Sequence, residues 1–271
     1  MIKAKTLYAA LSVIVAAILL MLVGGCEKEA DPDRETSYTL EVQDELGVTG
    51  TATFIETSNT ESTITLQLYG APAGIHPAAL YMNTIAEGGT IVIELNPVED
   101  SGTSTTILNT LSYDQLIEYD GHIKIVKSSN EPGVILAQAD IGGNVITDTN
   151  VSYTLETMDA YGVSGTALFE KRKNGKTLVT LSLDGTIEGE VYPATINLSS
   201  IATIGGGPVT KTLNSVDGTT GYSYTNIRNL DDGQNITYDN FLVYDGYINI
   251  YQTTAEFENI ISQGNIGSNM K

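Results

Sequence analysis

Tyr244-Asp245-Gly246-Tyr247-Ile248-Asn249-Ile250, running on to Gln263-Gly264-Asn265-Ile266-Gly267-Ser268-Asn269, decides how this chain must be read, because it occurs twice. Tyr119-Asp120-Gly121-His122-Ile123-Lys124-Ile125 runs on to Gln138-Ala139-Asp140-Ile141-Gly142-Gly143-Asn144, 125 residues earlier at both ends. A turn dipeptide, an alternating apolar stretch, a connection and a second apolar stretch are duplicated as one unit. Such self-similarity has to be recognised before any element is assigned.

Working outward, the two copies stay in step. Ser37-Tyr38-Thr39-Leu40-Glu41-Val42 matches Ser152-Tyr153-Thr154-Leu155-Glu156, and Gly47-Val48-Thr49-Gly50-Thr51-Ala52 matches Gly162-Val163-Ser164-Gly165-Thr166-Ala167, both at an offset of 115. Thr63–Leu68 and Leu178–Leu183 follow, with Ile64, Leu66, Leu68 and Val179, Leu181, Leu183 at every second position. Period two places each trio on one face of a strand. A sheet with one buried and one solvated face is an antiparallel one. His76-Pro77-Ala78 answers to Tyr192-Pro193-Ala194, and Leu95-Asn96 to Leu213-Asn214. The offset grows from 115 to 125, so copy two has gained ten residues, the largest insertion near Asn226–Asn235. Insertions that spare strand patterns belong in loops. Ser112-Tyr113-Asp114-Gln115 and Thr237-Tyr238-Asp239-Asn240 each predict a short helix opened by a capping box, which Gln115 fits better than Asn240.

Tyr, Thr, Val and Ile are strand formers, and 27 glycines with 15 tyrosines and no tryptophan suit turns and strands. The expected fold is all-β: two tandem antiparallel Greek-key-like β-sandwich domains, 37–144 and 152–271, each with one short helix and joined by a linker at 145–151. Each is a normal size for one sandwich.

The N-terminus reads as an address. Lys3 and Lys5 precede an uncharged run rich in Leu, Ala and Val that ends Leu22-Val23-Gly24-Gly25-Cys26. A basic start, an apolar middle and small residues before a cut site make a secretory leader, here 1–25. A buried thiol and an uncleaved spanning helix are the other readings of this stretch. Leu-Val-Gly-Gly-Cys resembles the bacterial lipobox, which implies cleavage before Cys26 and lipid on its thiol. Acyl chains anchor by about 0.8 kcal/mol per buried methylene. Residues 26–36, with Glu27, Glu29, Asp31, Pro32, Asp33 and Glu35, form an acidic tether. Glu27 is not the aspartate that marks inner-membrane retention in lipoproteins, so the expected location is the outer membrane, facing outward.

The ordered set of features resembles the CHRD (chordin-type) domain of extracellular and bacterial envelope proteins, twice over. The pieces are the Gly-x-x-Gly-x-Ala segment, His-Pro-Ala, the Ile/Val strand after Gly88-Gly89, the short helix, Asp-Gly-Tyr-Ile-Asn-Ile at 245–250 and Gln-Gly-Asn-Ile-Gly at 263–267. The resemblance implies a binding or structural module without established catalytic residues. It also implies histidines where this chain has Ala79, Tyr81 and Val126 in copy one and Thr195, Asn197 and Tyr251 in copy two.

Chemistry is sparse. The net charge is −20, and 11 basic against 33 acidic residues remain once Lys3 and Lys5 leave with the leader. That field repels nucleic acid. With Cys26 as the sole cysteine no internal disulfide can form. Only His76 and His122 are present, His122 opposite Ile123 and Ile125 and so expected on the exposed face. Zinc or copper wants three or four ligands, so no metal site, cofactor or catalytic residue is assigned. Calcium suits the oxygen-rich composition, with Glu99, Asp100, Asp140, Asp217, Asp231 and Asp232 able to supply carboxylates, but no Asp-x-Asp-x-Asp-Gly loop is present. The expected role is non-enzymatic: a lipid-anchored envelope module binding a protein or glycan, or serving as a spacer. An envelope hydrolase using carboxylates in copy-two loops is the alternative. Candidate binding residues are Tyr222 and Tyr224, in the stretch copy two has gained, and Tyr251, since an aromatic ring with a polar tip suits recognition.

Overall fold

The computed structural model describes residues 34–43, 47–100, 102–158, 162–252 and 259–270. The leader, Cys26 and most of the tether lie outside them. From Thr36 onward the chain forms one compact unit.

Copy one holds β1 (Glu35–Val42), β2 (Thr49–Glu56), β3 (Ser62–Tyr69), β4 (His76–Met82), β5 (Ile91–Val98), β6 (Thr103–Leu108), α1 (Tyr113–Ile117), β7 (Gly121–Ser128) and β8 (Glu131–Ile141). Copy two holds β9 (Ile146–Thr157), β10 (Ser164–Arg172), β11 (Thr177–Asp184), β12 (Val191–Leu198), β13 (Val209–Asp217), β14 (Tyr222–Ile227), α2 (Tyr238–Phe241), β15 (Asp245–Tyr251) and β16 (Ile260–Gly267). The strand orders are β5-β4-β7-β8-β1-β2-β3-β6 and β13-β12-β15-β16-β9-β10-β11-β14, the same order displaced by eight. Two tandem all-β domains, each with a short helix, are therefore what the duplication encodes.

Each eight-strand sheet curls until its two ends nearly meet. The seam is closed by a side chain, not a ladder. Asn96 on β5 donates its backbone N–H to Thr106 Oγ1 at 2.8 Å and its Nδ2 to the Thr105 carbonyl at 2.6 Å. Asn214 on β13 does the same to Thr225 Oγ1 at 2.9 Å and the Tyr224 carbonyl at 2.6 Å. The repeated Leu-Asn pair has its reason here: leucine points into the core and asparagine bridges the gap.

Two separate cores result. Leu40, Phe54, Ile64, Leu66, Leu80, Leu116, Ile123 and Ile125 are fully buried in the first, and Phe169, Val179, Leu181, Ile196, Phe241, Ile248 and Ile250 in the second. The alternation in β3 and β11 is the cause. Helices of four and five residues cannot stand alone; α1 and α2 persist because Leu116 and Phe241 plug the cores. Both open on a complete capping box, Asn240 serving as well as Gln115: Thr237 N–H donates to Asn240 Oδ1 at 3.0 Å, and Ser112 N–H to Gln115 Oε1 at 2.9 Å. The duplicated block closes on itself, since Asn144 and Asn269 donate to the carbonyls of Gly121 and Gly246.

The stretch expected as a linker is the opening of β9, which follows directly on a 3₁₀ turn at Gly142–Asn144. Polar contacts join the domains across it. Arg172, with no solvent exposure, donates to Asp140 at 3.0 Å and to the Asn144 carbonyl. Arg228 and Asn174 both reach Asp120 at 2.7 Å. Asn226 donates its N–H to Glu87 at 2.8 Å and its amide to Asn144 at 3.0 Å.

Candidate functional site

The six positions at which the family resemblance implies histidine fall on one outer face in each domain, the face of β4 and β7 and that of β12 and β15. In domain 2 they form a buried polar net. Thr195 Oγ1 donates to Asn197 Oδ1 at 2.6 Å and lies 3.2 Å from Tyr251 OH, which also accepts from Asn249 Nδ2 at 3.2 Å. Thr195, Asn197, Asn249 and Tyr251 are all at most 5 % exposed. The β12–β13 connection lies against this face: Gly207 N–H donates to Tyr247 OH at 3.0 Å, and Asn197 Nδ2 to the Gly207 carbonyl at 3.1 Å. Tyr251 therefore offers no ring to solvent, which corrects its assignment as a surface contact. Its alternation with Ile248 and Ile250 placed it on the outer face, and that face is covered.

In domain 1 the same positions hold no such net. Ala79, Tyr81 and Val126 line an open hollow of about 460 Å³ together with Lys124, Pro77 and Pro97. The Lys124 ammonium sits 4.1 Å from the centroid of the Tyr81 ring. A cation over an aromatic face is held by the ring quadrupole.

Both histidines are buried, and for His122 this reverses the expectation. Its ring is 3 % exposed, lies 5.0 Å from the Tyr81 ring at an interplanar angle of 12°, and has Nδ1 3.0 Å from the Asn83 carbonyl. Burial lowers its pKa; the Asn83 contact and the Asp140 carboxylate oppose that shift. The outer face of β7 is covered at His122, by the Tyr81 ring and the Asn83 carbonyl. His76 sits with its ring nitrogens 2.7 and 2.9 Å from the carbonyls of Lys127 and Pro72, so it pins the start of β4.

Tyr222 and Tyr224 lie on strand β14, opposite Ser182 and Thr180 of β11. Their counterparts in copy one are Thr103 and Thr105 of β6, opposite Gln67 and Thr65. They do not belong to the gained loop, which comes after β14. The two rings are parallel within 5°, with centroids 6.2 Å apart, and Tyr222 is 45 % exposed. This pair is an outward aromatic ledge flanked by hydroxyls.

The gained loop does a structural task. Asp231 N–H donates to the Thr210 carbonyl at 3.0 Å, and its carboxylate accepts from Thr212 N–H at 2.7 Å and from Lys211 at 2.9 Å. The loop thereby covers the outer edge of β13. Burial alone would raise the Asp231 pKa; the Lys211 and Thr212 donors outweigh it and hold the carboxyl below the usual range. Asp217 and Asp232 accept from Thr219 and Gln234 N–H groups, and Asp100 from Gly74. Among the described residues no three of His, Cys, Asp and Glu converge as a metal site would require. A polar cleft of about 480 Å³ between the domains is lined by Asn83, Glu87, Lys211, Asn226, Arg228 and Asp231.

Residue reading passed over Lys124, Arg172 and Asn96. The signal available was difference between aligned copies: Lys124 stands where copy two has Asn249, and Arg172 where copy one has Thr57. Comparison with protein-family models, curated proteins and solved structures gave no match to this chain.

Proposed function

We propose that this chain is a non-catalytic binding module of the bacterial cell envelope. In this reading a lipid on Cys26 holds it at the outer membrane, and two CHRD-like domains present its ligand-binding surface. The observation that carries the reading is the Tyr222–Tyr224 ledge. Two parallel rings bordered by the hydroxyls of Thr180 and Ser182 match the amphipathic faces of a glycan, where apolar C–H patches alternate with hydroxyls. The turn carboxylates of domain 2 support a binding role over a hydrolytic one, because Asp217 and Asp232 each hold a backbone N–H two residues on, and Asp231 holds that of Thr212 on β13. Glycoside hydrolysis needs two carboxylates facing a scissile bond.

The test is a glycan screen on the purified full chain, with wild type and a Tyr222→Ala/Tyr224→Ala double variant side by side. The variant is expected to lose about tenfold in affinity for the retained glycan, or roughly 1.4 kcal/mol. Full retention by the double variant, or capture only of a protein ligand at another surface, overturns the glycan assignment. For the anchor, Cys26→Ser should abolish metabolic lipid labelling and release the protein from the membrane fraction. Unchanged fractionation sinks that part of the reading.

A further inference from the structure

The duplicated face is an internal control for what the hollow in domain 1 is for. In domain 2, Thr195, Asn249 and Tyr251 fill the outer surface of the sheet and bond to one another. Their counterparts Ala79, Lys124 and Val126 are smaller or do not reach across, and a space of about 460 Å³ is left. That lies within the ~300–1,000 Å³ of small-molecule sites. The walls are apolar: Pro77, Pro97, Val126 and the Tyr81 ring.

Charge is placed at defined points of this hollow. Ala79 pairs with Glu94 of β5 on one side and with Lys124 of β7 on the other. Glu94, Ala79 and Lys124 thus form one row across the sheet, and at about 4.8 Å per strand the two charged residues stand roughly 10 Å apart at Cα. Lys124 has no carboxylate within ion-pairing distance among the described residues, and its ammonium rests on the Tyr81 ring. A chain with 33 acidic and 13 basic residues has carboxylates in excess. A cation left without one, beside an apolar floor, is where an outside anion gains most. The rim at β5 is also open: Glu94 stands where domain 2 has Thr212, which the Asp231 loop covers.

We propose that this hollow binds a small amphipathic monocarboxylate. Its carboxylate pairs with Lys124, and an aryl or short alkyl body lies over Ala79 against Pro77, Pro97 and Val126. Glu94 at the far end of the row excludes a second negative charge, so dicarboxylates and phosphates are rejected. The site is independent of the Tyr222–Tyr224 surface and of the anchor.

The experiment uses the purified full chain, with 4-phenylbutyrate and its uncharged amide as probes, read by isothermal titration and ligand-observed NMR. Wild type is expected to bind the acid at least tenfold more tightly than the amide. Lys124→Gln should lose that preference and bind both like the amide. Val126→Tyr, which restores the domain-2 residue, should abolish binding of both while leaving the melting temperature within a few degrees. No saturable binding of the acid below ~10 mM, where affinity falls under about 3 kcal/mol, overturns the proposal. So does an acid preference that survives Lys124→Gln, or a dicarboxylate that binds as well as the monoacid.

Discussion

The guanidinium of Arg172 has no solvent exposure, lies 3.0 Å from the carboxylate of Asp140, and the two residues belong to different copies of the repeat. Asp140 also accepts from the Ile85 N–H at 2.8 Å. Burial raises the Asp140 pKa, and the Ile85 and Arg172 contacts pull it back. Nε and Nη2 of Arg172 find no partner among the described residues. The pair thus fixes one domain on the other while leaving hydrogen-bonding capacity unused. Arg172→Met should cost about 2–4 kcal/mol, because the half-buried Asp140 loses the cation that compensates it. Arg172→Met/Asp140→Leu should recover much of that loss. Chemical denaturation of the three proteins checks it; a double variant no better than the single would mean that the pair acts through something other than charge.

The pH response has a stated sign. The folded pKa of His122 is below 6.5, so as pH falls the unfolded chain takes the proton first. The stability His122 confers is complete above 6.5 and drains as pH falls through its folded value. Asp140 runs the other way: its folded pKa is above 3.8, so its contribution is present in acid and lost as pH rises through the raised value. Lowering the pH from about 7.5 to 5.5, across the histidine range, should therefore depress the melting temperature of wild type more than that of His122→Gln. Parallel curves for the two proteins would remove His122 from the account.

Gly50 and Gly165, the second glycines of the repeated Gly-x-x-Gly, are places where backbone approaches backbone. A Cβ on Gly165 would lie 2.0 Å from the Ser182 carbonyl oxygen, and one on Gly50 2.2 Å from that of Gln67. Neither neighbour can give, as both oxygens belong to paired strands. Gly165→Ala should destabilise by about 1–3 kcal/mol through overpacking. Gly162→Ala, with open space but a φ of +71°, should cost less, about 1 kcal/mol. Equal losses in urea titrations would contradict the close-approach argument.

Tyr251→Phe removes the hydroxyl that Asn249 Nδ2 donates to and that Thr195 Oγ1 contacts. Asn249 Oδ1 already lacks a partner among the described residues. Stranding further buried polar atoms should cost about 1–3 kcal/mol. Val126→Phe in domain 1, which has no such net, should be tolerated in the same melting experiment.

The strands, the shared order of the two copies and both helices were legible in residues, because periodicity two and a capping box are local signals. Ile64, Leu66 and Leu68 could only be one face of a strand. What was not legible depends on contacts distant in the chain. Tyr251 and His122 sit on faces that alternation calls outward, and only the covering segments decide that they are buried. Tyr222 and Tyr224 were placed in the gained loop because counting offsets cannot say on which side of a strand the extra residues fall. Arg172 carried no local signal at all, because its partner is 32 residues away, on the other domain.

Each sheet receives its chain and releases it at the same end. Glu41 on β1 faces Gln138 on β8, and Glu156 on β9 faces Gln263 on β16, so the first strand of a domain runs antiparallel beside its last. Copying such a unit in tandem demands no rerouting of the polypeptide. For an engineer the same adjacency makes either copy a natural target for circular permutation, with new termini opened at the seam that Asn96 or Asn214 bridges.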